Sequence, residues 1–207
     1  MMALPFVTGA PMNRRLIAAC LSLSVLLSAC LVPEKFTARA DFQADGSYTF
    51  TYKGTMVHGM AAMQMVKSGG NMSAQDEQVF QKEAEALRKK PDVRDAQYQG
   101  KGRYQMTLES KRGNGEPLDA FGMLRVRTDQ NGVTTVSSAQ LSPKQKKELE
   151  QLAIKTDGTF ELSLPKSAQV ISHNATSAPK LFGMVGGYSW KINGLDQRPL
   201  VTFKLKP

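Results

Sequence analysis

Cysteine and histidine are scarce in this chain of 207 residues, with two of each. Two cysteines exclude a disulfide-stapled miniprotein and a four-cysteine zinc site, and two histidines leave little for imidazole-based metal chemistry. Long apolar runs are missing as well. Residues 16–29, from Leu16 to Ala29, form an uncharged stretch of 14 residues, too short for a confident spanning helix, which needs roughly 20. The usual catalytic signatures are absent: there is no Gly-x-Ser-x-Gly elbow, HExxH, CxxC, P-loop or dinucleotide fingerprint. That favours binding or structure over catalysis, and the expectation is a protein that is not an enzyme and needs no cofactor. What is present suits a folded domain. The chain is 41% hydrophobic and 22% charged, with 27 Lys and Arg against 18 Asp and Glu and a formal net charge of +9. That is enough apolar content for one packed core, and a charge balance suited to anionic surroundings.

The N-terminus reads as an address. Arg14 and Arg15 precede the short apolar run, and small residues close it, which is the layout of a secretory signal peptide. Cys30 follows Leu27-Ser28-Ala29 directly, which resembles the lipobox of bacterial lipoproteins. That resemblance implies diacylglycerol on the Cys30 thiol, cleavage before Cys30 and acylation of the new amino group. Cys20 follows a similar run but lacks an adequate apolar segment before it. Residues 1–11 carry no charge and have no part in this scheme; Met12 reads as the true start, with 1–11 a mis-assigned extension. Leu31 stands where Asp would be the inner-membrane retention signal in enteric-type sorting, so an outer-membrane destination is favoured over the inner membrane.

Removing residues 1–29 leaves 178 residues with 25 basic and 18 acidic side chains, a net charge of +7. Cys30 is then the only cysteine, so stability must come from an ordinary core. Apolar residues alternate over 36–42, Asp45-Gly46 signals a hairpin, and Tyr48, Phe50 and Tyr52 place three aromatics on one face of a second strand. Residues 56–66 switch to a helical pattern. Ser73 caps a helix running to Lys90, with a stripe of Val79, Phe80, Ala84 and Leu87; Ser142-Pro143 with Gln145 opens another, ending near Ile154. Strands are expected at 93–100, 103–111, 121–128, 133–139, 158–164, 168–172, 187–192 and 199–205. The composite is a single α+β domain over residues 30–207: a largely antiparallel sheet of about eight strands packed against two or three helices.

Methionine is the unusual feature. Five of the eight in the mature chain (Met56, Met60, Met63, Met65 and Met72) fall close together beside His58. Three readings stay open. Met56, Met60 and Met63 recur at helical spacing, with Val57 and Ala61 beside them, as core filling would require. The same thioethers could form an adaptable apolar groove with Tyr48, Phe50 and Tyr52, cradling an acyl chain between sheet and helix. Or Met56, His58, Met60 and Met63 could bind Cu(I), which soft thioether and imidazole ligands select. His58 and His173 read as polar loop residues rather than general bases. Basic clusters at 88–90, 101–103, 111–112, 125–127 and 144–147 read mainly as solvated faces. Envelope lipids or an envelope protein are the realistic partners and nucleic acid is not.

Near the C-terminus, a strand ending in His173-Asn174 and a later strand carrying Tyr188-Ser189-Trp190 resemble the end of the LppM-type envelope lipoproteins of mycobacteria. The Asp45-Gly46-Ser47 hairpin after the lipobox is also similar. The resemblance covers short patches and implies an α+β domain with a lipid- or glycolipid-binding role and no catalysis. The insert at 175–186, which contains Met184, is longer than that pattern, so correspondence at the residue level stops at His173, Asn174 and Trp190. On the residues alone, His173-Asn174 makes a good turn and Trp190 an anchor on a sheet face.

Overall fold

The computed structural model describes residues 31–179 and 187–206. The expected leader at 1–29, the expected lipid site Cys30, and Met184 lie outside these residues. The fold is α+β, but its strands divide between two sheets instead of forming one. Among the described residues there are eleven strands and three helices, in the order β1 (Leu31–Phe42), β2 (Tyr48–His58), α1 (Gly59–Lys67), α2 (Ala74–Arg88), β3 (Val93–Tyr98), β4 (Arg103–Arg112), β5 (Leu118–Ala120), β6 (Leu124–Thr128), β7 (Val133–Ser137), α3 (Pro143–Gln151), β8 (Asp157–Ser163), β9 (Ala168–His173), β10 (Tyr188–Ile192) and β11 (Leu200–Leu205). The first sheet has the order β10-β8-β1-β2-β4-β3, the second β5-β6-β7-β11-β9. All neighbours are antiparallel except β1 and β8, which run parallel.

The hairpin at Asp45-Gly46 forms as its residues dictate. Asp45 Oδ1 accepts from the Ser47 N–H at 2.9 Å, and Gly46 takes a φ of +84° that costs a residue without Cβ little. Alternation then sorts the first sheet into two faces. Ala38, Ala40 and Phe42 on β1, Tyr48, Phe50, Tyr52 and Met56 on β2, and Tyr104, Met106 and Leu108 on β4 are buried on the inner face. Arg39, Thr51, Lys53 and Lys111 point outward and are exposed. A shift in register between Pro33 and Lys35 inserts Glu34 as an extra residue, so Leu31 stays in phase with the core despite the odd spacing. Residues 31–34, ahead of the alternating pattern at 36–42, are thus already part of β1.

The inner face is covered in two parts. Phe80, Ala84 and Leu87 of α2 pack over it on the β3 side, and the second sheet contributes Leu118, Leu124, Val126, Val136, Val201 and Phe203 to the same core. Phe42 meets Phe203 edge-on across the sheets, with ring centroids 5.0 Å apart. Val79, expected in the α2 stripe, is instead exposed. Ser73 caps α2, its Oγ accepting from the Asp76 N–H at 3.1 Å, and Ser142 with Gln145 closes both arms of a capping box on α3. A smaller cluster of Val57, Ala62 and Ile154, flanked by Val32, Leu149 and Leu152, joins α1 and α3 to the end of the first sheet where β1 begins.

Residues 56–66 depart from the expected single helix. β2 continues through Met56 and Val57 to His58, paired with β4 up to Arg103, and the helix starts only at Gly59. The His58 ring takes the N-cap position, Nδ1 accepting from the Ala61 N–H at 3.4 Å. Starting later rotates the helix relative to the expected stripe. Ala61 and Ala62 turn inward, Met65 is half-buried, and Met60 and Met63 face out. The small inward side chains allow close approach: a Cβ on Gly102, in the β3–β4 turn, would collide with that of Ala61.

Candidate functional site: a cavity between the two sheets

Where the sheets diverge they leave a cavity of about 740 Å³, within the range of about 300–1,000 Å³ common for small-molecule sites. Its walls come from β1 (Phe36 and Ala38), β2 (Phe50 and Tyr52), β8 (Phe160), β10 (Ile192) and, from the second sheet, Leu124 with Phe121 and Met123 before it. Leu31, Val32 and Pro33 line it at the start of the described chain, and Leu149 and Gln145 of α3 face it nearby. The aromatic walls are themselves packed: Phe36 stacks on Tyr52 at 5.5 Å between centroids, and Phe160 lies against Trp190 at 5.2 Å.

The polar groups at the cavity edge are mostly satisfied among themselves. Asp119 accepts from Arg125 Nε at 2.9 Å and from the Gly122 N–H at 2.8 Å. Arg198 donates to the carbonyls of Ser138 and Ala139 at 2.8 and 3.1 Å. Asp92 is bound by Arg112 at 2.6 Å and Ser110 at 3.0 Å; burial opposes its charge, but these donors hold its carboxyl below the ordinary range. Tyr52 donates to the Thr55 carbonyl at 3.1 Å, and burial pushes its hydroxyl well up, so it stays a neutral phenol. An interior with so few unpaired polar atoms suits an apolar occupant, because a polar ligand would lose hydration without gaining partners. Lys90 differs. Its ammonium lies 5.1 Å from the centre of the Phe121 ring at the edge of the cavity and forms no ion pair among the described residues.

The expected ligand residues are only partly brought together. Phe50 and Tyr52 line the cavity; Tyr48 does not. Tyr48 is buried against Phe42, donates to the Glu116 carbonyl at 2.7 Å, and has its hydroxyl pushed up to about 12 by burial. None of Met56, Met60 or Met63 reaches the cavity. Met56 is fully buried, whereas Met60 is 64% and Met63 46% exposed. The set drawn up for copper, Met56 with His58, Met60 and Met63, is thus split between the core and the solvent-facing side of α1. No group of three or more His, Cys, Asp or Glu side chains among the described residues is placed to hold a metal ion.

His58 belongs to a separate buried cluster. Its Nε2 lies 3.7 Å from Glu83 Oε1, while the Tyr104 hydroxyl donates to Glu83 Oε2 at 2.5 Å. With Nδ1 accepting the Ala61 N–H, Nε2 is the nitrogen left to carry the proton of a neutral ring, and burial lowers the His58 pKa against the opposing pull of Glu83. Neither His58 nor Glu83 lines the cavity. The cluster closes a helix end and offers no route to a substrate there. His173 is exposed at the end of β9, its ring edge-on to Tyr188 at 4.9 Å.

Sequence reasoning missed Phe121, Met123, Phe160, Ile192 and Lys90 as cavity residues. Phe160 and Ile192 fall within expected strands, but periodicity carries no information about which inward faces fail to meet. No family model matches the chain, and no match was found among the curated proteins. No helix among the described residues is long and apolar enough to cross a membrane.

Proposed function

We propose that this chain is a bacterial envelope lipoprotein, held at a membrane through lipid on Cys30, which binds an acyl chain of a lipid or glycolipid between its two sheets and catalyses no reaction. The observation that carries this reading is the apolar cavity of about 740 Å³ lined by Leu31, Val32 and Pro33, the three residues that follow the lipobox cysteine. An anchor on Cys30 would put the cavity next to a lipid store. The paired polar groups at its edge leave the apolar walls as the main recognition surface, and Lys90 is available for an anionic headgroup. The likeness of the C-terminal strands to LppM-type lipoproteins supports the same reading. No observation favours the copper reading over it.

The test is native mass spectrometry on the domain starting at Leu31, which contains the whole described core, after expression in a bacterial host. Adducts with masses of phospholipids or glycolipids, exchangeable for fluorescent fatty acid, are expected. Ligand-free protein that takes up no fatty acid would overturn the lipid-binding reading.

A further inference from the structure

We infer that the outer face of α1, with Met60, Met63 and Val66, is a membrane-contact surface that lies in the headgroup region beside the lipid anchor. This rests on the reading of Cys30 as the lipidated residue. The inference starts from exposure that runs against residue type. Met60, Met63 and Val66 are 64%, 46% and 60% exposed, while Ala61 between them is fully buried. A short helix in water normally places its largest apolar side chains inward. Here the inward positions have gone to alanines, because the Gly102 turn and the α3 cluster sit too close to accept anything larger.

Position then identifies what covers this face. Leu31, the first described residue, is paired directly with His58, the residue that caps α1. Paired strand residues lie about 4.5–5.5 Å apart and successive Cα atoms about 3.8 Å apart, so the Cys30 Cα is within roughly 10 Å of that of His58 whatever its conformation. A diacylglyceryl group on Cys30 therefore fixes the bilayer surface beside the first turn of α1. An interfacial helix of this kind sinks its apolar side chains about 5–10 Å into the headgroup and acyl boundary.

The charges fit a lipid surface. α1 carries Lys67 in its last turn and no acidic residue. The adjoining β3–β4 turn, which packs on Ala61 through Gly102, presents an exposed Lys101. The Lys67 ammonium at the end of the apolar strip can reach phosphates while the methionines enter the acyl layer. Lys101, whose backbone N–H donates to Glu77 Oε1 at 3.1 Å, adds a second exposed cation on the adjoining turn. Methionine suits such a place, since its flexible thioether repacks against mobile chains.

The test uses the lipidated full-length protein reconstituted in vesicles of phosphatidylethanolamine and phosphatidylglycerol. The mature chain has no other cysteine than the acylated Cys30, so Met63→Cys provides a unique thiol for an environment-sensitive fluorophore, with Gln130→Cys on the β6–β7 turn as the control. The label at 63 is expected to shift to the blue and to be quenched by lipid-borne nitroxide but poorly by iodide, while the label at 130 shows the reverse. Protein that floats with vesicles yet leaves position 63 as open to iodide as position 130 would overturn this inference alone. Protein that fails to float would overturn the anchor reading together with it. Shielding of position 63 to the same degree without vesicles would mean that a second copy or another protein covers the helix, and would also overturn it.

Discussion

The indole N–H of Trp190 donates to Oδ1 of Asn174 at 2.7 Å, and that same oxygen accepts the Leu200 N–H at 2.9 Å. The Asn174 amide nitrogen in turn donates to the Arg198 carbonyl at 2.7 Å. Trp190 lies in the first sheet and Leu200 opens the last strand of the second. One side-chain amide therefore ties the two sheets at the end of the cavity bordered by Ile192, Arg198 and Pro199.

Replacing that amide should loosen the joint. Asn174→Ala leaves the Trp190 and Leu200 donors without their acceptor and is expected to cost about 1–3 kcal/mol. Asn174→Asp keeps the acceptor oxygen, loses the donor to Arg198, and should cost less. Urea denaturation followed by Trp190 fluorescence measures both; equal stability of Asn174→Ala and the parent would show that the bridge contributes nothing.

Filling the cavity should separate stability from binding. Ala38 faces it from β1, so the ring of Ala38→Phe enters empty space instead of displacing neighbours. Cavity-filling changes commonly add about 0.5–2 kcal/mol. The variant is expected to denature at higher urea than the parent and to carry less co-purified lipid by mass spectrometry. A variant that is more stable and retains all its lipid would place the ligand elsewhere.

The methionines should respond according to where they sit. Met56→Ala removes a fully buried side chain and should cost about 2–5 kcal/mol. Met60→Ser and Met63→Ser change exposed positions and should each stay within about 0.5 kcal/mol. Thermal denaturation of the three variants side by side checks this, and a large loss from Met63→Ser would mean that α1 is packed more deeply than its exposure indicates.

Acid should weaken the start of α1. Burial lowers the His58 pKa below its value of 6.5 in the unfolded chain, with Glu83 acting in the opposite direction. The unfolded state therefore binds the proton more readily. The stability contributed by the neutral ring is complete above about pH 6.5 and is lost as the pH falls through that value toward the lower folded pKa. Protonation at Nδ1 also removes the acceptor for the Ala61 N–H. The denaturation midpoint should fall between pH 7 and 5, and His58→Asn, which retains a capping oxygen, should flatten that slope. An NMR titration placing the His58 pKa above 6.5 would show that Glu83 outweighs burial.

Much of the local structure could be read from the chain itself, because it depends on residues close together. The caps at Ser73 and Ser142, the turn at Asp45-Gly46 and the inward aromatics of β2 each depend on a few neighbouring groups and one periodicity. The start of α1 could not be read the same way. Whether Met56 and Val57 continue a strand or begin a helix was settled by pairing with Tyr104 and Arg103, almost fifty positions away. That choice set the phase of every later side chain and put Met60 and Met63 outside. The partition into two sheets is likewise non-local, since alternation shows which side chains turn inward and not which inward faces meet. The sequence by itself determined the α+β class and the core faces of the strands over 36–42, 48–52 and 103–111. Only the tertiary structure decided that two sheets diverge over Phe36, Phe50, Tyr52 and Phe160 to leave a cavity, and that the methionine helix faces outward beside the point where the chain would be anchored. Packing between distant segments decides such matters, and no local pattern encodes it.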